Sequence, residues 1–91
     1  MKRIYKYTLT PSNKVLAIPG CLKIISVESQ RQEIVVYALI ETSSDTTKGF
    51  EFLVIGTGHD IDINIDVYEF LGTVSMGNGA FMFHVFYREI F

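Results

Sequence analysis

Short apolar runs, each broken by turn-forming residues, limit this chain to folds built from strands. Residues 4–9, IYKYTL, alternate strictly: Tyr5, Tyr7 and Leu9 fall on one face, Lys6 and Thr8 on the other. A period of two carried by β-branched and aromatic side chains marks a half-buried strand. The same reading gives strands over 14–18, 22–27, 34–40, 50–55, 68–74 and 81–87. The punctuation agrees. Pro11-Ser12-Asn13 and Pro19-Gly20 carry turn chemistry, and Met76-Gly77-Asn78-Gly79 contains Asn-Gly, the strongest short hairpin signal. That last turn makes the final two strands neighbours.

No segment follows a 3.6-residue period. Residues 33–41, EIVVYALIE, contain Ala and Leu, but Ile34, Val35 and Val36 lose χ1 freedom in a helix. Apolar on both faces, the segment reads as a central strand. Residues 28–33 are polar and suit a hairpin connection; residues 41–49, ETSSDTTKG, read as a second, longer one. The expected fold is a single all-β domain over residues 1–91, a small antiparallel sandwich or barrel of about six to seven strands.

A chain of 91 residues buries only about 60–65% of the surface its unfolded form exposes. The sequence is nonetheless 48% apolar and 13% aromatic, more than so small an interior absorbs. Residues 81–87, FMFHVFY, are apolar on both faces, with Phe81, Phe83, Val85 and Tyr87 on one and Met82, His84 and Phe86 on the other. A lone sheet keeps one face wet. These features predict a homo-oligomer in which a second subunit covers this strand.

Charge and cysteine content narrow the classes further. Net charge is −2, with no basic footprint for DNA or RNA. No apolar run is long enough for a membrane span, and no signal-peptide core follows Met1-Lys2-Arg3, so a reducing cytoplasm is expected. Cys21 is the one cysteine, which precludes an intrachain disulfide and predicts a small buried or half-buried thiol.

Three groups of residues invite a functional reading. Gly56-Thr57-Gly58-His59 either presents successive backbone N–H groups to an anion or turns a strand end sharply. No lysine and no helix pattern follow, so it is not a P-loop. His59 and His84, with Asp60, have the residue types of an acid–base or metal pair; without a third ligand at defined spacing, a packed histidine bonded to backbone or to Thr57 is the simpler reading. Asp60, Asp62, Asn64 and Asp66 begin like a calcium loop, but Ile65 and Leu71 stand where an EF-hand needs Gly and Glu. Their alternation with Ile61, Ile63 and Ile65 predicts an extended edge, acids outward and isoleucines inward. No catalytic residue, metal or cofactor is expected.

Several short motifs carry a resemblance. They are an N-terminal I-Y-K-Y, P-G before Ile24, Ile25 and Val27, then Tyr37-Ala38-Leu39, G-T-G-H, Leu71-Gly72-Thr73-Val74, and His84-Val85-Phe86. Together the chain resembles a family of short phage and prophage proteins known only as a domain of unknown function. The aliphatic-acidic run over 60–66 and the continuation past His84-Val85-Phe86 depart from that family's pattern. The resemblance implies a phage origin and life in the host cytoplasm, and brings no catalytic residues. With no catalytic constellation in view, it leads to the expectation of a non-enzymatic accessory protein that antagonises host defence by binding. Its target would be a protein effector or a signalling nucleotide. For a nucleotide, Gly56, Thr57, Gly58 and His59 would meet phosphates, with His84 on the neighbouring strand. Tyr37 or Phe83 would stack on the base, a contact every base tolerates. A minor virion or assembly component is the alternative, and a small metal-dependent hydrolase using His59, Asp60 and His84 a third.

Overall fold

Alternation in the sequence becomes alternation in burial. In the computed structural model, which describes residues 1–12 and 14–91, Leu9 is buried, Tyr7 half-buried, and Lys6 and Thr8 exposed. They lie on β1 (Lys2–Leu9), followed by β2 (Val15–Pro19), β3 (Cys21–Gln30), β4 (Glu33–Glu41), β5 (Thr47–Gly56), β6 (Glu69–Met76) and β7 (Phe81–Glu89). Two antiparallel sheets result, ordered β1-β4-β3 and β2-β5-β7-β6. The expected all-β class holds, as does the central position of β4. Asn13, which the sequence assigns to a turn with Pro11 and Ser12, lies outside the described residues.

The sheets pack face to face around Ile18, Ile24, Val36, Ala38, Phe50, Phe52, Val74 and Val85. The shortest dimension, 20 Å, fits two sheets about 10 Å apart with side chains on their outer sides. Val35, beside fully buried Val36, points the other way and is still only 2% exposed. The cross-strand register sets it on the diagonal between Lys6 and Gln30. The Lys6 ammonium donates to Gln30 Oε1 at 2.7 Å, and these long side chains shelter the valine.

Gly20 is where the chain changes sheets. Pro19 ends β2 in one sheet and Cys21 begins β3 in the other. The Gly20 N–H donates to the Thr46 carbonyl at 2.7 Å, and its own carbonyl accepts from the Glu41 N–H at 2.8 Å. The β2–β3 and β4–β5 crossovers are thereby tied together at one corner. With φ of +69° and the Glu41 carbonyl oxygen where a Cβ would stand, only glycine fits.

Three expectations need correction. Residues 41–49 are not a hairpin connection: β4 runs through Glu41, β5 starts at Thr47, and the segment between crosses from sheet to sheet. Thr47 and Lys48 read as loop because they are polar, yet they pair with Pro19 and Ile18. Residues 60–66 are not an extended edge either. They run irregularly into a 3-10 turn at Ile65–Val67, where the Asn64 side chain accepts from the Asp66 N–H at 3.2 Å. That local bond competes with extension and breaks the alternation, leaving Ile61 and Ile63 exposed. Finally, the 28–33 connection is tighter than its polarity implies. Only Arg31 and Gln32 lie between Gln30 and its partner Glu33, both at positive φ (52° and 64°), as a two-residue hairpin requires.

The β6–β7 hairpin follows the sequence reading. Asn78 and Gly79 have φ of 56° and 89°, and the Ala80 N–H donates to the Gly77 carbonyl at 3.1 Å. No helix among the described residues is long and apolar enough to cross a membrane.

Candidate functional site

The end of β5 is shaped by two glycines with different tasks. Gly56 pairs with Phe83 and faces the space between the sheets. A Cβ there would lie 2.9 Å from Nδ1 and Cε1 of His59, so its bare Cα makes room for the imidazole. Gly58, at φ +86°, supplies the reversal. The His59 N–H then donates to the Gly56 carbonyl at 3.1 Å, folding the histidine back over the strand end. Of the two alternatives for this motif, the sharp turn is the one formed. The amides of Thr57 and His59 are spent on the carbonyls of Met82 and Gly56, so the turn presents no run of free N–H groups to a phosphate.

The folded-back His59 borders a cleft of about 450 Å³ at the open end of the sandwich. Leu9 and Ile34 line it from one sheet, Val54, Gly56, Met76 and Phe83 from the other. Lys14, Gln32, Glu33 and His59 add polar groups. Gln32 Oε1 accepts from the Gly77 N–H at 3.2 Å, joining the two hairpin tips beside the cleft. The volume falls in the range of small-ligand pockets, and so does the composition, apolar walls with a few polar groups.

His84 belongs to a different surface. Its neighbour Val85 is fully buried, so His84 faces outward from the four-stranded sheet. Its ring is held between two hydroxyls, Thr57 Oγ1 at 2.7 Å from Nε2 and Thr73 Oγ1 at 3.0 Å from Nδ1. The expected bond to Thr57 is therefore present. His59 and His84 lie on opposite faces of the sheet, which removes the shared acid–base or metal site read from the sequence. Among the described residues no cluster of three His, Cys, Asp or Glu side chains is placed to hold a metal.

Of the candidate ligand-binding residues, Gly56, His59 and Phe83 meet at the cleft. Thr57 and His84 sit together on the outer face, and Gly58 adjoins open space. Tyr37 is separated from all of them: it lies between inward-facing Val36 and Ala38 and so points away from the four-stranded sheet. Sequence reading missed Leu9, Lys14, Gln32, Ile34 and Met76. Three strands, β1, β4 and β6, and two connections bring these together, and no local pattern announces that.

A second cleft, about 500 Å³, opens at the other end between Leu22, Phe50, Glu69 and Tyr87. Apart from Lys23, its charges already have partners. Lys48 lies 3.9 Å from Glu89, Arg88 Nε donates to Glu51 Oε1 at 2.7 Å, and the Tyr87 hydroxyl donates to Glu69 Oε2 at 2.8 Å. Burial and the Glu69 carboxylate push the Tyr87 phenol up to about 12. Hydrogen bonds from the Tyr68 hydroxyl and from Arg88 hold the Glu51 carboxyl below its ordinary value. Among the described residues, neither Lys14 nor the His59 side chain is engaged in this way, which leaves both free to meet a ligand. Burial also pushes the Cys21 thiol up, away from reactivity.

No curated protein and no solved structure matches the chain. The profile of one family, a domain of unknown function, matches it over residues 1–90. The chain belongs to that family, DUF7352.

Proposed function

We propose that this DUF7352 protein is a phage-encoded, non-enzymatic accessory protein that antagonises host defence by binding a small signalling nucleotide in the His59 cleft. One observation carries the reading: Gly56, His59 and Phe83 converge with Lys14 on a single apolar cleft. Phe83, Met76 and Val54 offer a dry wall for a flat base. Lys14 and His59 offer side chains to a phosphate, in place of the glycine amides, which the turn consumes. The resemblance to phage proteins supports the host cytoplasm as the setting.

A thermal-shift panel of cyclic and linear mononucleotides tests this. A ligand present at a hundred times its Kd adds about 2.7 kcal/mol of stability. The expected result is a shift with at least one nucleotide, reduced in Lys14→Ala and His59→Ala. A silent panel overturns the nucleotide reading.

The exposed apolar surface described next favours one second reading, a minor virion or assembly component. Its presence in purified particles at fixed stoichiometry would establish that role.

A further inference from the structure

We infer that a second copy of this chain covers the outer face of the four-stranded sheet, packing face to face about a two-fold axis along β7. The inference stands independently of the cleft. This outer face carries Val15, Leu53, Ile55, Phe70, Met82 and Phe86 around the hydroxyl-held His84. Val15, Phe70 and Met82 are 46%, 58% and 42% exposed. None of the six packs into the core between the sheets. The outer face of the three-stranded sheet differs, since its apolar residues are interspersed with Lys2, Lys6 and Glu28.

Charge and shape both select a second copy. The only acid and base on the central strands of the face are Glu51 and Arg88, and they neutralise each other. Two molecules of net charge −2 therefore meet on a face without net charge, and the two Arg88 side chains that the axis brings together are each already paired with their own Glu51. The register adds complementarity: Leu53, Phe86 and Phe70 lie in one row across three strands, with Phe86 in the middle. A two-fold axis along β7 sets the projecting Phe70 of each copy over Leu53 of the other. Phe70 already leans on Phe86, ring centroids 5.3 Å apart, so it is placed to bridge.

Over residues 51–57 the face is three strands wide, β2 reaching it only with Val15 beside Glu51. Three strands at about 4.8 Å spacing and about 3.3 Å rise per residue give a flat face of roughly 14 by 20 Å. Phe70 and Met82, which stand off it exposed, enlarge the area that a second copy covers and place the contact at the small end of specific interfaces. The packing is that of two aligned sheets.

Light scattering after size exclusion tests the proposal. The wild-type chain is expected at twice its 10.3 kDa mass. Phe70→Glu and Met82→Glu, both at exposed positions, are expected to be monomers with unchanged far-ultraviolet circular dichroism. Ile4→Glu, at an exposed position on the other sheet, is expected to remain dimeric. A wild-type monomer at several hundred micromolar overturns the inference, as does a dimer that both face variants leave intact. Should the variants fail to fold, isotope-filtered NOEs on mixed-label wild-type protein decide. Intermolecular cross-peaks between Phe70 and Leu53 support the arrangement, and their absence in a dimer refutes it.

Discussion

His84 Nε2 lies 2.7 Å from Thr57 Oγ1, a contact that ties the turn after β5 to the middle of β7. With Thr73 on the other ring nitrogen, the imidazole is a cross-link across three strands. Thr57→Val and Thr73→Val should each cost roughly 1 kcal/mol, the net worth of one such bond. Because both act on one ring, the double variant should depart from additivity. Urea denaturation of the two singles and the double measures this.

Tyr87 predicts the alkaline limb of stability. Its phenol is neutral in the fold and raised from 10.0 to about 12. A group raised on folding contributes its full stability below its unfolded value, and loses it as pH climbs through the folded one. Stability should therefore fall between about pH 10 and 12. Tyr87→Phe should flatten that slope in part, since Tyr7 and Tyr68 are raised as well. Phenolate absorbance against pH, with denaturation at each pH, checks both statements.

Two glycines at positive φ should respond differently to alanine. At Gly20 the new methyl meets the Glu41 carbonyl oxygen at the corner where both crossovers are tied, whereas Gly58 adjoins open space. Gly58→Ala should cost about 1–2 kcal/mol, the backbone penalty alone. Gly20→Ala should cost clearly more and lower Tm further. Equal losses would remove the corner's special role.

Arg31 and Gln32 occupy a turn that asks for Asn-Gly. Arg31→Asn relieves one left-handed residue and should stabilise by about 0.5–1 kcal/mol. Gln32→Gly should gain less, because it also gives up the bond from Gln32 to the Gly77 N–H. Thermal denaturation of both variants gives the order.

Strand identity was legible because alternation is local: Tyr5, Tyr7 and Leu9 declare a face within five residues. Sheet membership was not. Nothing near Pro19-Gly20 says that the chain leaves one sheet there, and polar Thr47 and Lys48 conceal two strand positions whose partners lie far back in β2. The same gap divided the candidate site. Residue types singled out Gly56, His59 and Phe83, which do meet. Tyr37 fits the same chemistry but lies on the far side of the other sheet. His84 was one parity step from Phe83, enough to move it to the opposite face. Val35 shows the converse: its burial rests on a Lys6–Gln30 bond that no local pattern encodes.

The most direct test of the cleft as a binding site is an amide chemical-shift titration of the wild-type protein with cyclic AMP and other mononucleotides. Saturable shifts at Gly56, Gly58, His59 and Phe83, with Tyr37 unmoved, are the predicted result. Unchanged spectra, or shifts gathered around Tyr37 on the outer three-stranded face, would contradict it.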